Sequence, residues 1–144
     1  MRELRATLGW LHGEPPGLDR LGALEAAMRD AGLRVTVVRE GPDRPVPAAV
    51  GHAAYRTVQE ALSNVLRHAA PGTTAEVRVR RGAGLTITVT DGGGTATGAA
   101  SAGGGGRGIE GMRARAEHLG GTLTAGPGED GRFTVTARLP AESA

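Results

Sequence analysis

The stretch that most restricts the possible folds is Tyr55–Ala69, with the sequence YRTVQEALSNVLRHA. A helical residue advances by about 100°. On that spacing Ala54, Val58, Ala61, Leu62, Val65, Leu66 and Ala69 share one broad arc, the expected buried face. Arg56, Glu60, Asn64, Arg67 and His68 share the opposite arc. Glu60 and Asn64 are four apart, so they stand one turn above each other and point the same way. A carboxylate, a neutral amide, a cation and an imidazole in that order suit a metal–phosphate group beside a general base. An ordinary solvated face satisfies the same stripe, and the helix alone does not decide between the two.

The surrounding chain reads as strands and helices in one layered domain. Met1–His12 has Leu4, Leu8 and Leu11 at helical spacing and stops at Gly13-Glu14-Pro15-Pro16. Pro16–Gly32 predicts a helix with Leu18, Leu21, Leu24, Ala27 and Met28 inward, Asp19 as N-cap and Gly32 as C-cap. Leu33–Glu40 alternates as a strand, and Gly41–Pro47 links it to the long helix, expected over Ala48–Ala69. Ala75–Arg80 and Leu85–Thr90 alternate strictly around Arg81-Gly82-Ala83-Gly84, which predicts an antiparallel hairpin. Asp91–Gly108 has no apolar period and reads as a mobile loop. Ile109–Leu119 predicts a helix with Ile109, Met112, Ala116 and Leu119 inward, followed by strands over Thr122–Ala125 and Arg132–Leu139. The fold class is α/β: a two-layer sandwich, one mixed sheet with helices on one face.

Composition narrows the function more by exclusion than by suggestion. The 144 residues suit one domain. There is no cysteine, so disulfides and thiolate metal sites are out. No run approaches the roughly 18 apolar residues of a membrane span, and MRELRATLGW lacks a signal-peptide pattern, so a cytoplasmic domain without direct membrane contact is expected. All 17 basic residues are Arg, yet they are scattered and aromatics are 2%, which gives no footprint for nucleic acid.

Two further features carry chemistry. Asp91 ends a core strand beside Gly92 and Gly93, where glycine lets a ligand approach the backbone closely. An Asp-Gly turn is the bland reading of the same residues. Gly104, Gly106 and Gly108 then alternate directly into the helix at Ile109, so backbone N–H groups there can meet an anion.

In order and spacing, Glu60-x-x-x-Asn64-x-x-Arg67-His68, Asp91-x-Gly93 and Gly104-x-Gly106-x-Gly108-Ile109-x-x-Met112 resemble three known boxes. They are similar to the N box and two glycine boxes of the ATP-binding domain of sensor histidine kinases, whose fold is shared with gyrase, the Hsp90 chaperones and MutL. Val58-Gln-Glu-Ala-Leu-Ser-Asn-Val-Leu-Arg-His-Ala69 and Gly108-Ile-Glu-Gly-Met-Arg-Ala-Arg115 resemble the NarL/DesK-type subfamily in detail. The resemblance covers about Leu18 to Pro140. It implies that Asn64 ligates Mg²⁺ bridging the ATP phosphates, while Arg67 and His68 contact phosphate oxygens. It implies Asp91 as acceptor of the adenine amino group, with Thr134 assisting through water. Gly93 completes that box, and Gly104, Gly106, Gly108 and Ile109 bind the nucleotide at the hinge of a glycine-rich ATP lid. Glu60 falls where this subfamily carries a carboxylate that orients or deprotonates the attacking group. Both Mg²⁺, a hard cation, and phosphoryl transfer fit such residues.

The same resemblance makes residues 1–14 the tail of a dimerisation helix and 15–144 the catalytic domain. The implied partners are ATP, an upstream dimerisation domain bearing the phosphoacceptor histidine, a response regulator of NarL/LuxR type, and a second copy of the full-length protein. His12 lacks a His-Asp/Glu motif, so the phosphoacceptor is expected elsewhere. The first glycine box ordinarily ends in glycine, where this chain has Thr95. That departure keeps open a nucleotide-binding regulatory module without transfer, and an ATPase or serine kinase shares the same fold. If the glycine-rich segment is a lid, Mg-ATP is expected to slow tryptic cleavage at Arg107. Equal cleavage rates with and without Mg-ATP would count against it.

Overall fold

A computed structural model describes residues 16–68, 72–91, 106–127 and 132–141. The expected helix at Met1–His12 and the loop glycines Gly93 and Gly104, with Thr95, lie outside them, as does the domain boundary at residue 14.

Five strands form one sheet in the order β1-β2-β3-β5-β4. They are β1 (Arg34–Glu40), β2 (Thr74–Arg81), β3 (Gly84–Asp91), β4 (Thr122–Pro127) and β5 (Phe133–Pro140). A 3-10 turn at Leu18–Arg20 leads into helix α1 (Leu21–Asp30), and α2 (Ala48–His68) and α3 (Gly106–His118) follow. Only β1 and β2 are parallel, because the 21-residue α2 carries the chain back between them. The other neighbours are antiparallel, and β2 and β3 form the expected hairpin around Gly82-Ala83.

Strict alternation on the strands divides the sheet into a dry face and a wet one. Val77, Val79, Leu85, Ile87, Val89, Val135, Ala137 and Leu139 are buried beneath the helices. Thr86, Thr88, Thr90, Thr134 and Thr136 occupy the alternate positions on β3 and β5 and are half-buried. The helices cover the dry face with Leu21 and Leu24 of α1, Val58, Ala61 and Leu62 of α2, and Met112 and Ala116 of α3. Each fully buried Ile or Leu, such as Ile87 or Leu62, contributes about 1.5–3 kcal/mol by leaving water.

Several local expectations need correction. Asp19 does not cap a helix; it lies inside the 3-10 turn, and neither that turn nor α1 has a side-chain cap at its start. Ala27 on α1 and Leu66 on α2 are exposed, while their neighbours Met28 and Val65 pack against the core, so these two positions turn away from the sheet. Helix α3 begins at Gly106, not Ile109: glycine's poor helix propensity is overridden where Gly108 packs against α2. Gly32 does close α1, at φ 104°, with Leu33 N–H bonded to Met28 C=O at 2.9 Å.

The link from β1 to α2 is held by a side chain that the sequence pattern assigned only to a turn. Arg81 is buried, and its guanidinium donates to the carbonyls of Arg44, Pro45 and Gly82. Gly41 crosses the Arg81 backbone so closely that an added Cβ would stand 1.9 Å from its carbonyl oxygen, and φ there is +89°. Gly41→Ala is therefore expected to lower unfolding stability by roughly 2–4 kcal/mol. Gly111 lies mid-helix in α3 with open space around it, so Gly111→Ala is expected to raise stability by about 0.5–1 kcal/mol. Urea unfolding midpoints of the two variants, moving in opposite directions, check both.

Candidate functional site

The polar stripe of α2 is not a free solvated face. Along its last turns it is met by α3, and the two helices touch at two levels. Near the C-terminal end of α2, a Cβ on Gly108 would lie 3.6 Å from the Asn64 amide nitrogen. One turn earlier, Arg115 Nη1 donates to Glu60 Oε1 at 2.9 Å. Within α2, Arg67 Nη2 donates to Asn64 Oδ1. His68, half-buried, is the last residue of the helix.

Chain connectivity brings Asp91 to the same end of the domain. Only residues 69–73 separate α2 from β2, and Ala75 at the start of β2 pairs with Asp91 at the end of β3. Asp91 shares the dry face with Leu85, Ile87 and Val89 and is only 3% exposed. A carboxylate so buried needs polar company, and it does have an interacting partner in the fold. A cleft of about 400 Å³ opens beside it, lined by Thr36, Ala75, Glu76, Thr90, Asp91 and Arg132 among others. A wider recess, about 820 Å³, lies at the other end of the sheet, between the β2–β3 turn and Gly120–Thr122. None of the described candidate site residues lines it, so its size has no bearing on the chemistry.

Thr134 does not join Asp91. It pairs with Thr90 on the wet face, the two hydroxyls 3.5 Å apart, whereas Asp91 points to the helix side. The strand residue on the helix side at that level is Phe133, partly buried against the core. The one-residue offset follows from the period of two in a strand, which sends neighbours to opposite faces. Gly106 and Gly108 form the first turn of α3, and Ile109 packs against the core just beyond them. Sequence reasoning also missed the partner of Glu60. Arg56 and Arg67 are nearer in the chain, yet the partner is Arg115; its signal was present in Gly-Met-Arg-x-Arg but carried no contact information. Arg56 Nε is buried with no hydrogen-bond partner.

The Glu60 and Arg115 side chains are 30% and 28% exposed. A pair so open to solvent contributes only about 1 kcal/mol to stability. Its main effect is on where the carboxylate points.

Among the described residues no group of three or more His, Asp or Glu side chains could cage a metal ion. The donor beside the N-terminus of α3 is Asn64 Oδ1, with the Glu60 carboxylate one turn away along α2 against Arg115. That is a poor cage for a bare cation. It is a fitting partial shell for Mg²⁺ arriving with phosphates, since Mg²⁺ keeps its waters and takes one or two protein oxygens. A helix start formed by glycines faces the same place and favours anions. No helix among the described residues is long and apolar enough to cross a membrane.

Comparison with known proteins gives the family and the fold. The profile of the family described as "Histidine kinase-, DNA gyrase B-, and HSP90-like ATPase" matches residues 49–143, more than half of the chain. The chain belongs to that family, and membership implies ATP binding. Among solved structures, the blue-light activated histidine kinase of Erythrobacter litoralis EL346 is similar over 88% of this chain and 42% of its own, with TM-score 0.62 and 24% identity. The histidine kinase AdeS of Acinetobacter baumannii is similar over 87% of this chain and 62% of its own, with TM-score 0.60 and 17% identity. The cytoplasmic segment of histidine kinase QseC is similar over 98% and 92%, with TM-score 0.56 and 16% identity. At such identities the likeness shows the fold alone. The chain spans less than half of the first of these proteins and less than two thirds of the second.

Proposed function

We propose that this domain is the catalytic ATP-binding domain of a sensor histidine kinase of the NarL/DesK type, acting in the cytoplasm. It transfers the γ-phosphoryl group of Mg-ATP to a histidine on a dimerisation domain, from which a NarL/LuxR-type response regulator receives it. The observation that carries this reading is the packing of α3 along the polar stripe of α2, Gly108 at its glycine start against Asn64 and Arg115 against Glu60, with buried Asp91 at the Asn64 end of the sheet.

Each side chain then has a physical task. Asp91, a buried acceptor, takes the adenine amino group. Asn64 Oδ1 would hold Mg²⁺, which supplies neutralisation of phosphate charge when bound. Arg67, now donating to that same oxygen, is three residues away and turns to the phosphate oxygens, with His68 beside it. Gly106 and Gly108 present backbone N–H groups at the α3 N-terminus. Glu60 has a poor claim to the nucleotide, because its charge repels phosphate. It serves the incoming histidine instead. One imidazole nitrogen forms a bond to the γ-phosphorus while the bridging P–O bond breaks, its electron pair leaving on ADP. The proton on the other ring nitrogen passes to the Glu60 carboxylate.

The adenine assignment predicts that Asp91→Asn weakens ATP binding at least about tenfold, since a hydrogen bond to a charged group is worth roughly 1.5–3 kcal/mol. GTP, with a carbonyl where Asp91 needs a donor, is expected to bind poorly, and equal calorimetric affinities for the two nucleotides would sink the assignment. The base assignment predicts that Glu60→Gln keeps Mg-ATP affinity within a few-fold. Transfer of label from ATP to a supplied histidine-bearing dimerisation domain is expected to fall by about 10²–10⁴. A regulatory module without transfer activity predicts no labelled histidine from the unaltered chain either.

A further inference from the structure

Among the described residues, Arg115 of α3 makes a polar contact with Glu60 of α2 that no motif accounts for. We propose that Arg115 is a positioning residue for the transfer step. It takes one carboxylate oxygen of Glu60 and thereby aims the other at the incoming imidazole. The inference rests on the role proposed above for Glu60.

Three observations favour this over a casual surface pair. The first is selection of the partner. Arg56 stands one turn before Glu60 on the same helix, and Arg67 lies two turns beyond, but neither takes the carboxylate. Arg67 is directed to Asn64 instead, and Arg56 Nε is buried without a hydrogen-bond partner. The second is geometry. Among the described residues the contact runs from Arg115 Nη1 to Glu60 Oε1, at 2.9 Å, and leaves Oε2 as the acceptor for a proton. A bidentate fork would have occupied both oxygens. The third is the place of Arg115 on α3. The next turn inward is anchored by Met112 and Ala116, both fully buried, so the arginine stem is carried by a part of the helix that cannot shift without breaking the core.

The other end of α3 carries Gly106 and Gly108 at the phosphate side, with Gly108 against Asn64. One rigid helix thus touches both the nucleotide end and the acceptor-activating carboxylate. The bonds made and broken are those of the transfer already written: the imidazole nitrogen to phosphorus, the bridging P–O bond to ADP, and one proton to Oε2.

The test uses the whole chain with Mg-ATP labelled at the γ-phosphate and a histidine-bearing dimerisation domain of NarL/DesK type. Arg115→Gln is expected to bind Mg-ATP within about threefold of wild type and to melt within a few degrees of it. Its transfer rate at saturating ATP is expected to fall roughly 10–100-fold, the usual cost of a misplaced group. Arg115→Lys, which keeps the charge and one donor, is expected to recover most of that loss. The double variant with Glu60→Gln is expected to be no slower than Glu60→Gln alone, as for two residues acting as one unit. A wild-type transfer rate in Arg115→Gln, while Glu60→Gln is slow, overturns the inference and leaves the proposed function standing. Losses that multiply in the double variant overturn it too, as does a fall in Mg-ATP affinity or melting temperature that accounts for the lost rate. A wild-type rate in Glu60→Gln removes Glu60 from the mechanism, and Arg115 then has nothing to position.

Discussion

The burial of one face of α2 against the sheet is the constraint on which the rest of this domain depends. Val58, Ala61 and Leu62 are at most 2% exposed, and so are Val77, Ile87, Val89 and Ala137 on the strands below. Because hydrophobic burial is proportional to area and has no direction of its own, it fixes the helix only through the shape of the two surfaces. A helix with an apolar arc this broad can rotate very little before it exposes leucine or buries arginine. The orientation of the polar stripe follows from that, so Glu60 and Asn64 are aimed by residues on the far side of their own helix.

The second consequence concerns α3. Its sequence is a poor helix on local grounds, with three glycines in 13 residues, and it is stabilised by packing Met112 and Ala116 into the same core. The glycines that weaken it also let its first turn lie close to the Asn64 side chain. A side chain larger than alanine at Gly108 would press on Asn64, so helix propensity and the close approach of α3 to α2 compete at this helix start.

Errors in reading this chain have a common cause. The alternation of β3 and β5 was legible, and so were the core residues Ile87, Val89, Val135 and Ala137. The same alternation placed Thr134 on the wrong side for Asp91, because a site assignment one residue out of register reverses the face completely. Leu66 and Ala27 lie at the margins of their apolar arcs, and the adjacent Val65 and Met28 take the core positions instead. Asp19 has the chemistry of a cap, but the chain enters α1 through a 3-10 turn whose backbone it follows instead.

The order of strands and helices, the one-sided sheet, the polar stripe and the carboxylate at the end of β3 were all present in the sequence. They depend on periods of 2 and 3.6 residues and on turn residues, which are short-range properties of the chain. Partners distant in the chain were not present in it. The sequence contains Glu60 and Arg115 as two charges 55 residues apart, with Arg56 and Arg67 as nearer candidates for the same carboxylate. Arg81 likewise reads as a turn residue until three carbonyls converge on its guanidinium. Which cation meets which oxygen is decided by how two packed helices or a folded link bring them together. Electrostatic attraction between exposed groups is too weak to make that choice alone; the buried faces make it first, and the ion pair forms where they leave the charges.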